Sequence, residues 1–198
     1  MTVSLSFWFD FASTYSYPAA MRIEQWARER DVAVVWRPFL LGPIFADQGW
    51  RTSPFNVYPA KGRYMWRDLE RICEGQGLPF ARPDPFPQHS LLAARVATAL
   101  DGDARSKFSY AVFAAEFGRG QSIDSEEFVS GILREMGAPA ETLARAGSQE
   151  VKAALRDSVA EASALGIFGA PSFTTADGEL FWGFDRLAAA LDWARARA

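Results

Sequence analysis

The sequence predicts an α/β fold in which a helical segment interrupts a small sheet, and three observations predict it. The chain opens with two strand-like stretches around one helical stretch. From residue 41 to residue 157 the apolar residues recur at helical spacing, with no strand pattern between them. The chain then closes on a hairpin signature followed by a helix.

Residues 3–10 alternate, with Leu5, Phe7 and Phe9 on one face and Ser4, Ser6 and Trp8 on the other, the period of a strand. After a polar break at Ser13-Thr14, Ala19, Ala20, Ile23, Trp26 and Ala27 recur at helical spacing. Residues 32–39 are β-branched and aromatic, a second strand. A crossover of about 16 residues between two strands implies parallel pairing with a right-handed connection. The stretch from Gly42 to Pro59 reads as turn-rich. Tyr64, Met65, Leu69, Ile72 and Cys73 form the next stripe, closed by Gly75-Gln76-Gly77. Residues 89–100 form another, and Phe108, Val112 and Ala115 carry the pattern to Phe117-Gly118. Asp124 and Glu127 are spaced as a capping box before Phe128, Ile132, Leu133 and Met136, with Gly137 as the stop. Val151, Leu155, Val159 and Leu165 mark a long helix ending at Gly166. Residues 171–175 and 179–182 flank Ala176-Asp177-Gly178, a hairpin, and Asp185 starts the last helix. The order β-α-β, helical insertion, α-β-β-α is that of a thioredoxin-like fold. Residues 1–40 and 158–198 would form the thioredoxin-like domain, and 41–157 an inserted all-helical domain.

Composition narrows the function. The 198 residues carry 21 basic and 24 acidic side chains, a net charge of −3 that disfavours a nucleic-acid surface. One cysteine, Cys73, excludes an internal disulfide and a Cys-based zinc cluster, and one histidine, His89, excludes a His-rich metal site. No run approaches ~18 apolar residues, so no membrane span is expected. Met1 to Ser6 lack the basic and apolar regions of a signal peptide, which leaves the cytoplasm as the default compartment.

Two places carry chemistry. In a thioredoxin-like fold the junction after the first strand holds a Cys-x-x-Cys pair; here the spacing is Ser13-x-x-Ser16. Serine does not cycle between dithiol and disulfide. What remains is a hydroxyl beside free N–H groups at the positive end of a helix dipole, a site suited to an external thiolate. Lowering a thiol pKa from ~8.5 to ~6.5 raises its thiolate fraction at pH 7 from about 3% to about 75%. The same serines also read as plain helix caps, and Pro18 leaves open whether Ser13 or Ser16 starts the helix. The second place is Gly166 to Phe173, where Pro171 opens a strand. In the thioredoxin architecture that proline is cis, faces the first helix and leaves the preceding backbone, here Ala170, to pair with a peptide. A plain turn is the ordinary reading of a lone Gly-x-Pro.

Five stretches then carry a family resemblance: Phe9 to Tyr17, Trp36 to Phe45, Lys61 to Leu69, Phe168 to Phe173 and Phe181 to Leu187. Through them the chain resembles the 2-hydroxychromene-2-carboxylate isomerases, relatives of the kappa-class glutathione transferases and, more distantly, of DsbA-like oxidoreductases. The family pattern has proline where this chain has Thr14, and Asn where it has His89. The resemblance implies a bound glutathione, with Ser13 donating to its thiolate and Ala170, ahead of a cis Pro171, pairing with its cysteinyl backbone. It further implies Asp185 at the γ-glutamyl ammonium with Arg186 beside it, and Asn56 and Lys61 as contacts from the inserted part, Lys61 meeting the glycine carboxylate. The activity implied is a glutathione-dependent isomerisation of 2-hydroxychromene-2-carboxylate or a related intermediate of aromatic catabolism. A kappa-like transferase and a non-catalytic binder of thiol peptides are the alternatives. The resemblance also implies a homodimer, and because Ser13, Ala170 and Asp185 all belong to the thioredoxin-like part, each site should be complete within one chain. Tyr15, Tyr17, Trp50, Phe55 and Trp66 read either as walls of an aromatic-substrate pocket or as core. His89 reads as a general base or as a cap, Arg95 as a carboxylate partner or as a solvated cation, and Cys73 as a core thiol.

Overall fold

A computed structural model describes residues 3–50 and 52–197. Of the amino-terminal stretch read for a leader, Met1 and Thr2 lie outside the described residues. Four strands, β1 (Ser4–Phe9), β2 (Ala33–Pro38), β3 (Ser172–Thr175) and β4 (Leu180–Trp182), form one sheet in the order β2-β1-β3-β4. β1 and β2 are parallel, Phe7 opposite Trp36, and the crossover between them is α1 (Ser16–Arg28). β3 runs antiparallel to β1 with Phe173 opposite Phe7, and β4 antiparallel to β3. A short 3-10 turn, Phe184–Arg186, leads from β4 into α10 (Leu187–Ala196).

The alternation in β1 decides the layers. Leu5, Phe7 and Phe9 are fully buried against Ala20, Ile23 and Ala27 of α1 and Leu187, Ala190 and Leu191 of α10. Phe7 stacks on Phe173 at 5.6 Å and meets Trp36 edge-on at 4.9 Å. Trp8 points to the opposite face, where it joins Phe39, Ile44, Ala162 and Ile167 in a second cluster and donates to Thr174 at 2.9 Å. Both faces of the sheet are therefore covered.

Among the described residues, eight helices stand between β2 and β3: α2 (Leu41–Asp47), α3 (Pro54–Val57), α4 (Pro59–Gln76), α5 (Leu91–Ala99), α6 (Gly102–Arg119), α7 (Glu126–Glu135), α8 (Thr142–Ala146) and α9 (Gln149–Ala164). The apolar faces of α4 to α9 share one continuous cluster with the sheet, Phe113 packing 5.8 Å from Phe9 and 5.0 Å from Phe11, whereas Ile44 of α2 joins the second cluster. The boundary expected at 157/158 falls inside α9.

Four local expectations are corrected. Gly42 to Pro59 is not only turns: it holds α2, α3 and the first residue of α4, and Pro54 and Pro59 open α3 and α4 at positions where their missing N–H costs nothing. Ser125, not Asp124, caps α7, accepting from Phe128 N–H at 3.1 Å, while Asp124 accepts from Ser122. In α4 the buried stripe is Met65, Leu69 and Cys73, and Tyr64 stands exposed. Leu165 lies past the last turn of α9 and is exposed rather than core.

Candidate active site

β1 ends at Phe9, and the chain turns through residues 10–15 before α1 begins at Ser16. Ser13 N–H donates to the Asp10 carbonyl at 3.0 Å and Ser16 N–H to the Ser13 carbonyl at 3.2 Å, closing a tight turn. The helix start is thereby fixed. Ser16 opens α1, Pro18 sits in its first turn, and Ser13 stands one turn ahead. The Ser13 hydroxyl donates to the Ala170 carbonyl at 2.9 Å and accepts a long bond from Ser16 N–H at 3.4 Å. The Ala170-Pro171 peptide bond is cis, as expected. The two chemical places, 157 residues apart, thus meet through one hydrogen bond.

The Ala170 carbonyl is not free: it already holds the Ser13 proton. The N–H groups of Thr14, Tyr15 and Ala170 find no acceptor among the described residues. These donors, with the positive end of the α1 dipole behind them, make the spot favourable for an anion.

This corner opens on a cavity of about 630 Å³, the size of a small-molecule site. One wall is the turn from Ala12 to Tyr15. A second comes from α2 and the loop after it, through Leu41, Phe45, Gln48 and Trp50, and a third from Phe55 and Lys61 of α3 and α4. The segment from Phe86 to Leu91 closes the far side, and Phe168, Gly169, Ala170 and Trp182 close the near one. Phe168 and Trp182 pack at 5.0 Å and are each about half exposed, forming the rim. The Trp182 ring lies so close over Gly169 that a Cβ there would come 2.5 Å from its Nε1.

Of the site residues expected from sequence, Ser13, Lys61 and Ala170 share the cavity, with Pro171 buried directly behind Ala170. Asn56, Asp185 and Arg186 stand outside its wall. Asn56 donates to Thr52 at 3.1 Å, and Asp185 pairs with Arg186 at 3.3 Å on the exposed 3-10 turn. The aromatic group divides. Tyr15, Trp50 and Phe55 line the cavity. Tyr17 is core, its hydroxyl donating to the Pro79 carbonyl, and Trp66 packs on Phe86 beneath Arg82. His89 lines the cavity one residue before the α5 cap position, while Arg95 does not reach it. Cys73 is buried, and burial pushes its thiol up to about 11, so it stays an inert core thiol. Tyr15 donates to Asp68 at 3.0 Å; burial and that carboxylate push its phenol up, so it stays a neutral ring.

Sequence reasoning missed Asp10. It is buried, and its carboxylate accepts from Ala12 N–H at 3.0 Å, Ser90 Oγ at 2.8 Å and Leu41 N–H at 2.8 Å. Burial pushes its carboxyl above the usual carboxylate range, a rise that the three donors only partly offset. Glu116 on α6 is fully buried, and neither carboxylate oxygen has a partner. Its burial, with the Asp10 charge added, pushes it well above the usual carboxylate range. Of the two buried carboxyls, Asp10 has three donors and Glu116 has none among the described residues. A carboxylate between Phe9 and Phe11 at a strand end was the available signal: its flanks are core, so it is buried and needs donors.

Among known proteins, the family model described as a DSBA-like thioredoxin domain matches residues 4–192. The chain is similar to a 2-hydroxychromene-2-carboxylate isomerase from Sphingobium xenophagum, 28% identical over 94% of this chain and 95% of that one. It is similar to glutathione S-transferase kappa 2 from Caenorhabditis elegans, 26% identical over 96% of this chain and 90% of that one. Among solved structures, one of a 2-hydroxychromene-2-carboxylate isomerase superposes with a TM-score of 0.87 at 23% identity, covering 98% of this chain and 95% of that one.

Proposed function

The chain belongs to the DSBA-like thioredoxin domain family, and from that premise we propose that it is a glutathione-dependent isomerase acting on 2-hydroxychromene-2-carboxylate or a related aromatic-catabolism intermediate. The observation that carries the reading is the Ser13 hydroxyl, which has replaced a thiol at the head of α1 and meets Ala170 beside the cis Pro171. A hydroxyl there cannot store electrons, so the reacting sulfur comes from outside the chain.

The residues present fit glutathione. The unpaired N–H groups of Thr14 and Tyr15 and the Ser13 proton suit a thiolate, the unpaired Ala170 N–H suits a peptide carbonyl, and Lys61 suits a carboxylate. Glutathione, when bound, supplies the nucleophilic thiolate. Ser13 holds the sulfur by donating its proton, and the α1 dipole favours the charged form. Phe45, Trp50 and Phe55 would take the flat face of an aromatic substrate, and the Phe168–Trp182 rim would limit water. Asn56, Asp185 and Arg186 remain proposed glutathione contacts that need a ligand spanning beyond the cavity, Asp185 toward an ammonium.

The similarity to a kappa-class transferase supports a second reading, a transferase that consumes glutathione. We also place the work in the cytoplasm, where glutathione is the main thiol pool, and in a homodimer with each site complete in one chain. No described helix is long and apolar enough to cross a membrane.

The test is turnover of 2-hydroxychromene-2-carboxylate with saturating glutathione, reading substrate absorbance and free thiol together. Isomerisation without net thiol loss is expected, falling about 100-fold or more in Ser13→Ala with the fold intact. Stoichiometric thiol consumption with a halonitrobenzene would give the transferase reading. Glutathione binding without turnover of either substrate would leave a binding protein, and unchanged turnover in Ser13→Ala would remove Ser13 from its role.

A further inference from the structure

Asp10 lies at the meeting point of three cavity walls. Its Oδ1 accepts from Ala12 N–H, next to Ser13, at 3.0 Å and from Ser90 Oγ, the cap position of α5, at 2.8 Å. Its Oδ2 accepts from Leu41 N–H, the first residue of α2, at 2.8 Å. Asp10, Ala12, Leu41 and Ser90 all line the cavity, and the partners lie 2, 31 and 80 residues away in sequence. We propose that Asp10 is the positioning residue of the site, one buried carboxylate that ties the Ser13 turn to the starts of α2 and α5 so that the thiolate corner and the substrate wall keep one geometry.

The chemistry favours this role over simple stability. A carboxylate offers about four acceptor positions on two oxygens, twice what a serine hydroxyl or a backbone carbonyl offers. Among the described residues no cation bonds to it, and Glu116 of α6, buried without a hydrogen-bond partner, is a titratable group that feels its charge. Ala12, Leu41 and Ser90 are its donors among the described residues. Loss of any one donor leaves the buried carboxylate less well solvated, and that cost falls on the closed arrangement that all three walls share, so opening it becomes easier everywhere at once. Coupling between the walls, rather than the strength of one bond, is the content of the proposal. It stands on bonds within the chain alone, whereas its consequence for binding rests on the glutathione reading.

The test is amide hydrogen exchange of the full ligand-free chain, comparing wild type, Ser90→Ala, Ser90→Thr and Asp10→Asn. Ser90→Ala removes one donor on α5 and touches neither residues 11–16 nor residues 40–45 directly. The expected result is a rise of about tenfold in exchange at both of those segments as well as at 89–94, restored by Ser90→Thr. Asp10→Asn should raise all three together; should that variant not fold, the Ser90 pair decides. A rise confined to 89–94 would overturn the proposal, as would no rise at all. Calorimetric titration with glutathione forms the second arm. Binding weakened about tenfold in Ser90→Ala and restored in Ser90→Thr is expected, and equal affinity in all folded variants would overturn the positioning role. Wild-type protein that fails to bind glutathione would sink the glutathione reading instead, with the exchange result still deciding Asp10.

Discussion

Two glycines in α4 should answer the same substitution differently, one with a gain in stability and the other with none or a loss. Gly75 has nothing within 4 Å of an added Cβ, whereas a Cβ on Gly62 would come 2.5 Å from the backbone carbonyl oxygen of Phe55. Replacing a helical glycine by alanine ordinarily stabilises by about 1 kcal/mol, because the unfolded chain loses freedom it would otherwise regain. Gly75→Ala should show that gain, or about 2–4 °C in melting temperature for a chain of this size. At Gly62 the contact is closer than real Cβ atoms come, and the obstacle is backbone. It relaxes only if α3 moves off α4. Overpacking of this kind costs about 1–3 kcal/mol, which cancels or exceeds the propensity gain. Gly62→Ala should therefore be neutral to about 2 kcal/mol destabilising. It should also shift Phe55 and weaken any ligand held between Phe55 and Lys61, since both line that wall. Urea unfolding of the two variants beside wild type measures the first effect, and calorimetric titration with glutathione the second. Equal stabilisation by both alanines would refute the close approach of α3 and α4 on which the wall depends.

Replacing Glu116 with methionine removes a buried carboxyl with no partner and keeps its length, so the protein should gain about 1–3 kcal/mol, read by urea unfolding at pH 7. The sign with pH follows from raised folded values: the stability that Asp10 and Glu116 contribute is complete below their ordinary 3.8 and 4.5 and is lost as pH rises through the higher folded values. Glu116→Met should thus flatten the decline above about pH 4.5, and an unchanged pH profile would show that Glu116 is solvated after all. For the proposed homodimer, sedimentation at micromolar concentration should give about twice the 21.9 kDa chain mass, and a single species at the chain mass would end that proposal without touching the site. Glutathione should bind more tightly than mercaptoethanol by a factor of about 10–100, read by competition, with comparable affinities refuting a backbone contribution from Ala170.

The strands and the first and last helices were legible because their patterns are local. Period two in Ser4–Phe9 and the turn residues Ala176 to Gly178 each sit inside a single short window. The prolines of residues 43–59 misled, since proline marks both a turn and the first position of a helix, and only the packing of α3 on α4 decides between them. α8, at five residues, is too short for a period to declare itself. Within the site, Ser13 and Ala170 were legible because a strand end and a proline at a strand start mark them, and Lys61 because a family pattern does. Asp10 was not read. Its three partners come from the turn after β1, from α2 and from α5, and no window of sequence holds a carboxylate together with donors 31 and 80 residues away. Asp185 and Arg186 show the converse: a pattern places them, yet their neighbours in the fold are each other and Gly183, away from the cavity wall.

The single proton of Ser13 joins these parts. A hydroxyl has one hydrogen to give, and here the Ala170 carbonyl holds it at 2.9 Å. A thiolate arriving at the head of α1 would compete for that hydrogen and win, since a bond to an anion is roughly twice as strong as one to a neutral carbonyl. The Ala170 carbonyl would then lose its donor in a buried corner, a loss of about 1–3 kcal/mol unless something replaces it. A cysteinyl residue brings the replacement, because its own N–H lies a few bonds from its sulfur, and its carbonyl meets the unpaired Ala170 N–H. A thiol without a peptide backbone brings none. On the proposed reading, the hydroxyl that would receive the sulfur would also select the peptide around it, and that exchange of one hydrogen between two acceptors is why glutathione should outbind a simple thiol.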